Sequence, residues 1–298
     1  MKYAPIVLFA FNRLEAVKSC VASLLANPEA SESDLAVFVD GARVGREGEV
    51  QNVEAVCSYV RGITGFRSAE VHASSVNMGL GPSVIAGVSD VINRFGRAIV
   101  VEDDLVAAQN FLSFMNQGLD RFETVPEVFS VCGYSNRVHV PDGYGFDAYF
   151  CPRSSSWGWA TWVDRWNSCD WMLDEWATVK KNACAFNRWG GSDCFSMLNG
   201  WKQGRNKSWA IRFCYNQFTR NALSVFPLVS KIENNGFDGD GTNCGKWSRF
   251  KSDFDNTGIT EFVFPEIISV DPGLRRQSLH YHSLPLRAYS RLMNYLYK

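Results

Sequence analysis

Three adjacent carboxylates, Glu102-Asp103-Asp104, stand directly after four apolar residues, Ala98-Ile-Val-Val101. Like charges packed this closely repel, so a cation or a dense set of hydrogen-bond donors must hold them together. A hard divalent metal takes oxygen ligands and is commonly bound by one or two carboxylates plus the phosphates of a substrate. The plain alternative is a solvated turn whose acids favour the first turn of a following helix. The residues before the acids favour the metal. Four apolar residues in a row read as a strand buried on both faces, and ligands of open α/β sheets collect at the carboxyl ends of such strands.

Other strand ends carry comparable side chains. Pro5-Ile-Val-Leu-Phe-Ala-Phe11 reads as a buried strand that stops at Asn12-Arg13, and Val17, Val21, Leu24 and Leu25 then follow at helical spacing. Asn12 is placed to cap that helix, which leaves Arg13 at its positive end, where phosphates collect; a surface arginine is the ordinary alternative. Leu35-Ala-Val-Phe-Val39 is a second buried strand and ends in Asp40-Gly41. Asp40 suits two roles equally, as acceptor for a ribose or base edge or as a turn residue before glycine. A third strand, Glu70-Val-His-Ala73, leads to Asn77-Met-Gly79-Leu-Gly81-Pro-Ser83 and a helix through Val84, Ile85, Val88, Val91 and Ile92. Glycines there suit close approach of backbone to a ligand. The segment is neither a Walker loop nor a Gly-x-Gly-x-x-Gly fingerprint.

Strand, helix, strand, helix, strand with short connections predicts an α/β fold built on a mostly parallel, Rossmann-like sheet flanked by helices. A helix over 110–122 and a strand over 128–133 continue it. The composition changes near Tyr144. All ten tryptophans lie between Trp157 and Trp247, most densely from Trp157 to Trp166. Most suit a core, while one or two at a cleft edge, such as Trp157 or Trp159, could stack on a sugar ring. The predicted organisation is a ligand-binding half over 1–140 and an acceptor-side half over 141–298, within one continuous domain. A helix is expected from Lys207 to Thr219. Four glycines between Asn234 and Gly245 make that loop a candidate lid. Leu284 to Lys298 reads as a basic amphipathic helix, packed on the body or resting on an anionic membrane surface.

The 298 residues carry a net charge of −1 with no long basic tract, which argues against nucleic acid as a partner. Nine scattered cysteines without a Cys-x-x-Cys pair fit reduced thiols in a cytosol better than structural zinc or a disulfide framework. Neither a signal peptide nor an apolar run of membrane-spanning length is evident. These features predict a cytoplasmic protein, with its C-terminal helix the one point of peripheral contact with the inner face of a membrane.

With the pieces in order, the chain resembles nucleotide-sugar glycosyltransferases of the A-type fold. The likeness is to family-2-like bacterial sugar transferases and to the N-acetylglucosaminyltransferase that initiates N-glycan branching. It rests on Pro5 to Arg13, Val39-Asp40-Gly41, Asn77-Met-Gly79-Leu, Val100-Val-Glu102-Asp103-Asp104-Leu, Trp157-Gly-Trp159, and Val229-Ser-Lys-Ile232 with the glycine loop. The resemblance implies inverting transfer from a UDP-sugar, with Mn²⁺ or Mg²⁺, to a glycan or lipid-linked acceptor in bacterial surface polysaccharide synthesis. Phe11, Arg13, Asp40 and Gly79 would line the nucleotide site. Asp104, last of a DXD-like motif, would ligate the metal, Glu102 and Asp103 would contact ribose and donor sugar, and the glycine loop would close over the donor.

Two departures from the eukaryotic relative stand out. Its basic or imidazole group at the start of the helix after the glycine turn is replaced here by Gly79-Leu-Gly81-Pro-Ser83. Its catalytic acid directly after a tryptophan is also missing, since Trp209 is followed by Ala210-Ile211. Asp193 and Asp238 are substitute candidates for the base. Two other readings compete. A nucleotidyltransferase or sugar pyrophosphorylase would carry a glycine-rich, Arg-Lys-containing loop after the first strand, and Phe11-Asn-Arg-Leu-Glu15 is no such loop. A non-catalytic carbohydrate-binding protein explains the tryptophans but not the acids after a buried strand.

Overall fold

The computed structural model describes residues 3–236 and 249–296. Its first half alternates strand and helix: β1 (Ile6–Ala10), α1 (Leu14–Leu25), β2 (Asp34–Val39), α2 (Glu49–Arg61), β3 (Ser68–Ala73), α3 (Leu80–Phe95) and β4 (Arg97–Glu102). The chain passes through the acids into β5 (Leu105–Ala107), α4 (Phe111–Phe122) and β6 (Val128–Cys132). Then come β7 (Ala148–Cys151), β8 (Trp159–Trp162), α5 (Val163–Asn167), α6 (Trp176–Lys181), α7 (Ala183–Gly190), α8 (Cys194–Lys202) and α9 (Ala210–Thr219). The last elements are β9 (Leu223–Pro227), β10 (Ile232–Asn234), α10 (Pro272–His280) and α11 (Leu284–Leu296).

Eight strands make one sheet in the order β3-β2-β1-β4-β8-β6-β9-β7. The first four are parallel to one another. β8 runs antiparallel between β4 and β6, β9 is parallel to β6, and β7 closes the edge antiparallel. The fold is α/β with a mostly parallel sheet flanked by helices, as the alternation of elements predicts.

The uninterrupted apolar runs follow from cover on both faces. Ile6, Leu8 and Ala10 enter a core with Val17, Val21 and Leu24 of α1, whereas Val7 and Phe9 enter a second core with Val84, Val88 and Val91 of α3. Each large aliphatic side chain buried in this way stabilises the fold by about 1.5–3 kcal/mol. With both faces covered, β1 and β4 cannot slip in register without stranding charged neighbours in the core.

The tryptophan-dense stretch departs from the sequence reading. Trp159–Trp162 is a central strand rather than a cleft edge, and Trp159 is 1% exposed. Its ring stacks on Trp166 and Trp209 at centroid distances of 5.6 and 4.8 Å. Trp-Ala-Thr-Trp is buried on both faces and so shows no alternation by which a strand could be recognised. Trp157 is half-buried and lies edge-on to Tyr134 at 4.6 Å. The helix expected from Lys207 begins instead at Ala210, where Ser208 Oγ accepts a hydrogen bond from Ile211 N at 3.3 Å. The eight cysteines among the described residues form no disulfide, and no described helix is long and apolar enough to cross a membrane.

Candidate functional site

The carboxyl ends of β1, β2 and β4 open into a cavity of about 940 Å³. Phe11, Arg13, Asp40, Gly79, Glu102, Asp103 and Asp104 all line it, so the residues singled out on three separate strand ends and one turn meet in one place. Phe38, His72 and Asp90, which the sequence reading passed over, line it as well. Phe38 and His72 are partners in the β2–β3 register and stack at 4.5 Å with a 7° interplanar angle. Alternation along β2 and β3 puts both on one face, but nothing in the sequence announces that this face is open.

Arg13 is not free for a phosphate. Its Nη2 lies 2.5 Å from Asp103 Oδ1 and 3.3 Å from Asp104 Oδ2. Burial opposes the Arg13 charge, but the two carboxylates outweigh it and hold the guanidinium above its ordinary pKa. Nor is Asn12 the cap of α1. Arg13 holds the N-cap position without a side-chain cap bond, while Asn12 Nδ2 reaches Glu49 Oε1 at 3.3 Å. Buried Glu49, which Arg43 also holds, offers Asn12 a better acceptor than the helix offers a donor.

The three acids have three different environments. Asp103 is 6% exposed and also accepts from Phe11 N at 3.3 Å; burial pushes its pKa up, with Arg13 opposing. Glu102 is pushed up to about 8, first by burial and then by the charges of Asp104 and Asp103. Asp104 Oδ1 is buried with no hydrogen-bond partner among the described residues. Behind Asp104, β10 pairs antiparallel with β5, and Asn235 N donates to the Asp104 carbonyl at 2.9 Å. Gly236 comes so close that a Cβ there would lie 2.6 Å from Asp104 Oδ2. Most of the candidate lid, and with it Asp238, lies outside the described residues.

This arrangement fits one kind of metal. With Glu102 kept mostly protonated by its raised pKa, Asp103 and Asp104 against one arginine still leave negative charge in surplus, and Asp104 Oδ1 has no partner among the described residues. Among the described residues no group of three or more His, Cys, Asp or Glu is arranged to hold a metal ion. An ion that takes one carboxylate and completes its shell with phosphate oxygens and water, as Mg²⁺ does, is compatible with Asp104; one that needs an all-protein cage is not.

Asp40 performs the turn role. Its Oδ1 accepts from Gly41 N at 3.0 Å and Met78 N at 2.8 Å, and its Oδ2 accepts from Gly79 N at 2.8 Å. It thereby ties the end of β2 to the glycine turn before α3, and a carboxylate has acceptor capacity beyond these three bonds. Asp193 is in a different cluster. Arg153 Nη1 lies 2.7 Å from its Oδ1, and His282 Nδ1 lies 4.0 Å from its Oδ2. Burial pushes the Asp193 carboxyl up, but Arg153, with Arg287 behind it, outweighs this and holds the pKa below the usual aspartate value.

No protein-family model matches this chain, and no curated protein matches it. Many solved structures resemble it in part, three of them as follows. The mannosyltransferase PcManGT of Pyrobaculum calidifontis, in complex with GDP-Man and Mn²⁺, is 10% identical with a TM-score of 0.35, over 54% of this chain and 46% of that one. S. aureus TarS 1–349 is 10% identical with a TM-score of 0.44, over 78% and 60% of the two chains. Mouse xyloside xylosyltransferase 1 is 11% identical with a TM-score of 0.36, over 76% and 85%. This chain therefore spans less than two thirds of the mannosyltransferase and of TarS 1–349. Likenesses at this level carry no residue's role across, and the reading of the site rests on its own geometry.

Proposed function

We propose that the protein is a metal-dependent, inverting glycosyltransferase that moves a sugar from a UDP-sugar to a glycan or lipid-linked acceptor in bacterial surface polysaccharide synthesis. The observation that carries this reading is the cavity at the strand ends, which Asp104 lines together with the Asp40-bound turn and the Phe38–His72 stack. The flat aromatic pair suits a planar base, Asp40 suits a ribose or base edge, and Asp104 would hold Mn²⁺ or Mg²⁺ beside the diphosphate. When bound, the ion supplies Lewis-acid stabilisation of the charge that develops on the departing diphosphate. Arg13 keeps Asp103 and Asp104 together against their repulsion, so the ligand oxygen is positioned before substrate arrives.

Inversion also needs a base to take the proton of the attacking acceptor hydroxyl. Of the two candidates, Asp193 is satisfied by Arg153 and held below the ordinary aspartate range, which suits an anchor better than a proton acceptor. Asp238 remains as the base in this reading. The test is a panel of nucleotide sugars with and without manganese, read as thermal stabilisation and as hydrolysis. Stabilisation by UDP-sugars with manganese is expected, and no response to any member overturns the reading.

The acceptor side is proposed to meet an anionic membrane surface through residues 284–298. Helix α11 exposes Leu284, Tyr289, Leu292, Tyr295 and Leu296 by 49–74%, and only Ser290 is buried. From Pro272 to the last residue there are four arginines, one lysine and no acid. Apolar side chains beside basic ones match a lipid interface. Co-sedimentation with phosphatidylglycerol vesicles, lost in Leu292→Asp, is the expected result; equal recovery with neutral vesicles contradicts it.

A further inference from the structure

Among the described residues that line it, the cavity shows no free positive charge for an anionic ligand. Among the described residues five carboxyl groups line it, from Asp40, Asp90, Glu102, Asp103 and Asp104, and all but Glu102, whose pKa is raised to about 8, carry charge at neutral pH. Both arginines of its lining are engaged, Arg13 with Asp103 and Asp104, and Arg43 with Glu49 through its guanidinium and its main-chain N–H. A bound divalent ion would offset part of this surplus, but a nucleoside diphosphate would bring further negative charge of its own.

One cation reaches the turn at Gly79 from the other half of the chain. Lys207 stands in the connection between α8 and α9, and that connection is fixed from both sides. Asn206 Nδ2 donates to Met197 O at 3.1 Å, Ser208 N donates to Asn206 Oδ1 at 3.1 Å, and Trp209 is buried in the tryptophan stack. The Lys207 carbonyl oxygen sits where a Cβ on Gly81 would lie only 2.1 Å away, so a side chain at 81 would drive the two segments apart. From this anchored backbone the side chain runs across Gly79, whose φ of +79° is in the left-handed region. Lys207 Cδ and Nζ lie 3.7 and 3.6 Å from the Cβ position there. The residue is exposed, and among the described residues its ammonium has neither an ion pair nor a hydrogen-bond partner. Gly79 lines the cavity and donates its N–H to Asp40, so the turn is held by Asp40 and crossed by Lys207.

We propose that Lys207 is a donor-binding residue that recognises the diphosphate of the nucleotide sugar, an inference that rests on the glycosyltransferase reading. An ammonium on a four-carbon stem is a compact point charge that can follow phosphate oxygens without fixed geometry. The rigid turn sets where the stem starts, and the absence of a protein partner leaves the charge to the ligand.

The test compares UDP with uridine by calorimetry, with manganese and with chelator, for the wild-type protein, Lys207→Gln and Lys207→Arg. Lys207→Gln should weaken UDP roughly tenfold to a hundredfold, the scale of a charge-assisted contact, and leave uridine unchanged. Lys207→Arg should keep most of the UDP affinity. The melting temperature of Lys207→Gln should match wild type, because among the described residues the ammonium has no partner to lose. A Lys207→Gln protein that keeps the wild-type ratio of UDP to uridine affinity overturns the assignment while leaving the glycosyltransferase reading in place. A wild-type protein that binds neither ligand overturns both.

Discussion

Two charge clusters in this molecule are built with opposite surplus. At the end of β4, Glu102, Asp103 and Asp104 face the guanidinium of Arg13. Between the end of β7 and α8, Asp193 faces Arg153, with Arg249 and Arg287 contributing positive charge on the same side. The acidic cluster borders a cavity and contains an oxygen with no partner among the described residues. In the basic cluster both oxygens of the carboxylate take bonds from Arg153, which also donates to Gly190 O at 3.0 Å. His282, driven well below its usual pKa by burial and then by Arg153, stays neutral and adds no charge. The difference teaches that a buried carboxylate by itself does not mark a site. Surplus charge with space beside it calls for a ligand, whereas a carboxylate whose oxygens are all answered by arginine ties elements together.

Three substitutions would break or sharpen that contrast. The largest effect is expected from Asp104→Ala. Losing the oxygen that would hold the metal should lower transfer by about a thousandfold, the scale of several kcal/mol of Lewis-acid stabilisation. Its melting temperature should hold or rise, because an unpartnered buried oxygen and a like-charge contact both disappear. Chelator should silence wild type equally, with manganese restoring turnover better than calcium, which prefers more ligands at longer distance. Normal turnover in the variant, or in chelator, would put the acidic cluster on the same footing as the basic one.

Asp193→Asn should show the reverse pattern. It should cost about 3 kcal/mol of stability, as a buried ion pair does when one charge is removed, and leave turnover per folded molecule unchanged. The pH dependence has a definite sign. The folded Asp193 pKa lies below its ordinary 3.8, so the pair's contribution is fully present above that value and is lost as pH falls below it. Denaturant titrations at descending pH should show a shallower acid limb for the variant than for wild type. Retained stability with abolished transfer would instead make Asp193 the base.

The smallest effect belongs to Asp40→Ala. It releases the three N–H groups that the carboxylate holds and should weaken UDP roughly tenfold with the fold intact. Unchanged UDP affinity would separate the glycine turn from the donor pocket.

The amino-acid sequence by itself determined the parallel half of the sheet and the position of the acids at a strand end. Those signals are local: runs such as Ile-Val-Leu-Phe-Ala, and acids directly following Ala-Ile-Val-Val, are set by neighbours a few residues apart. The same locality hid β8, because Trp-Ala-Thr-Trp takes its strand character from β4 on one side and β6 on the other. It also hid the partners of the charged residues. A carboxylate oxygen reads the same whether it has no partner among the described residues, as for Asp104 Oδ1, or is answered from forty residues away, as by Arg153 for Asp193. Only the tertiary structure decided that Arg13 pairs with Asp103 and Asp104, that Asp40 holds the Gly79 turn, and that Lys207 crosses it. The physical reason is that hydrophobic periodicity specifies which face of an element is buried, while charge pairing depends on which distant elements that burial brings together.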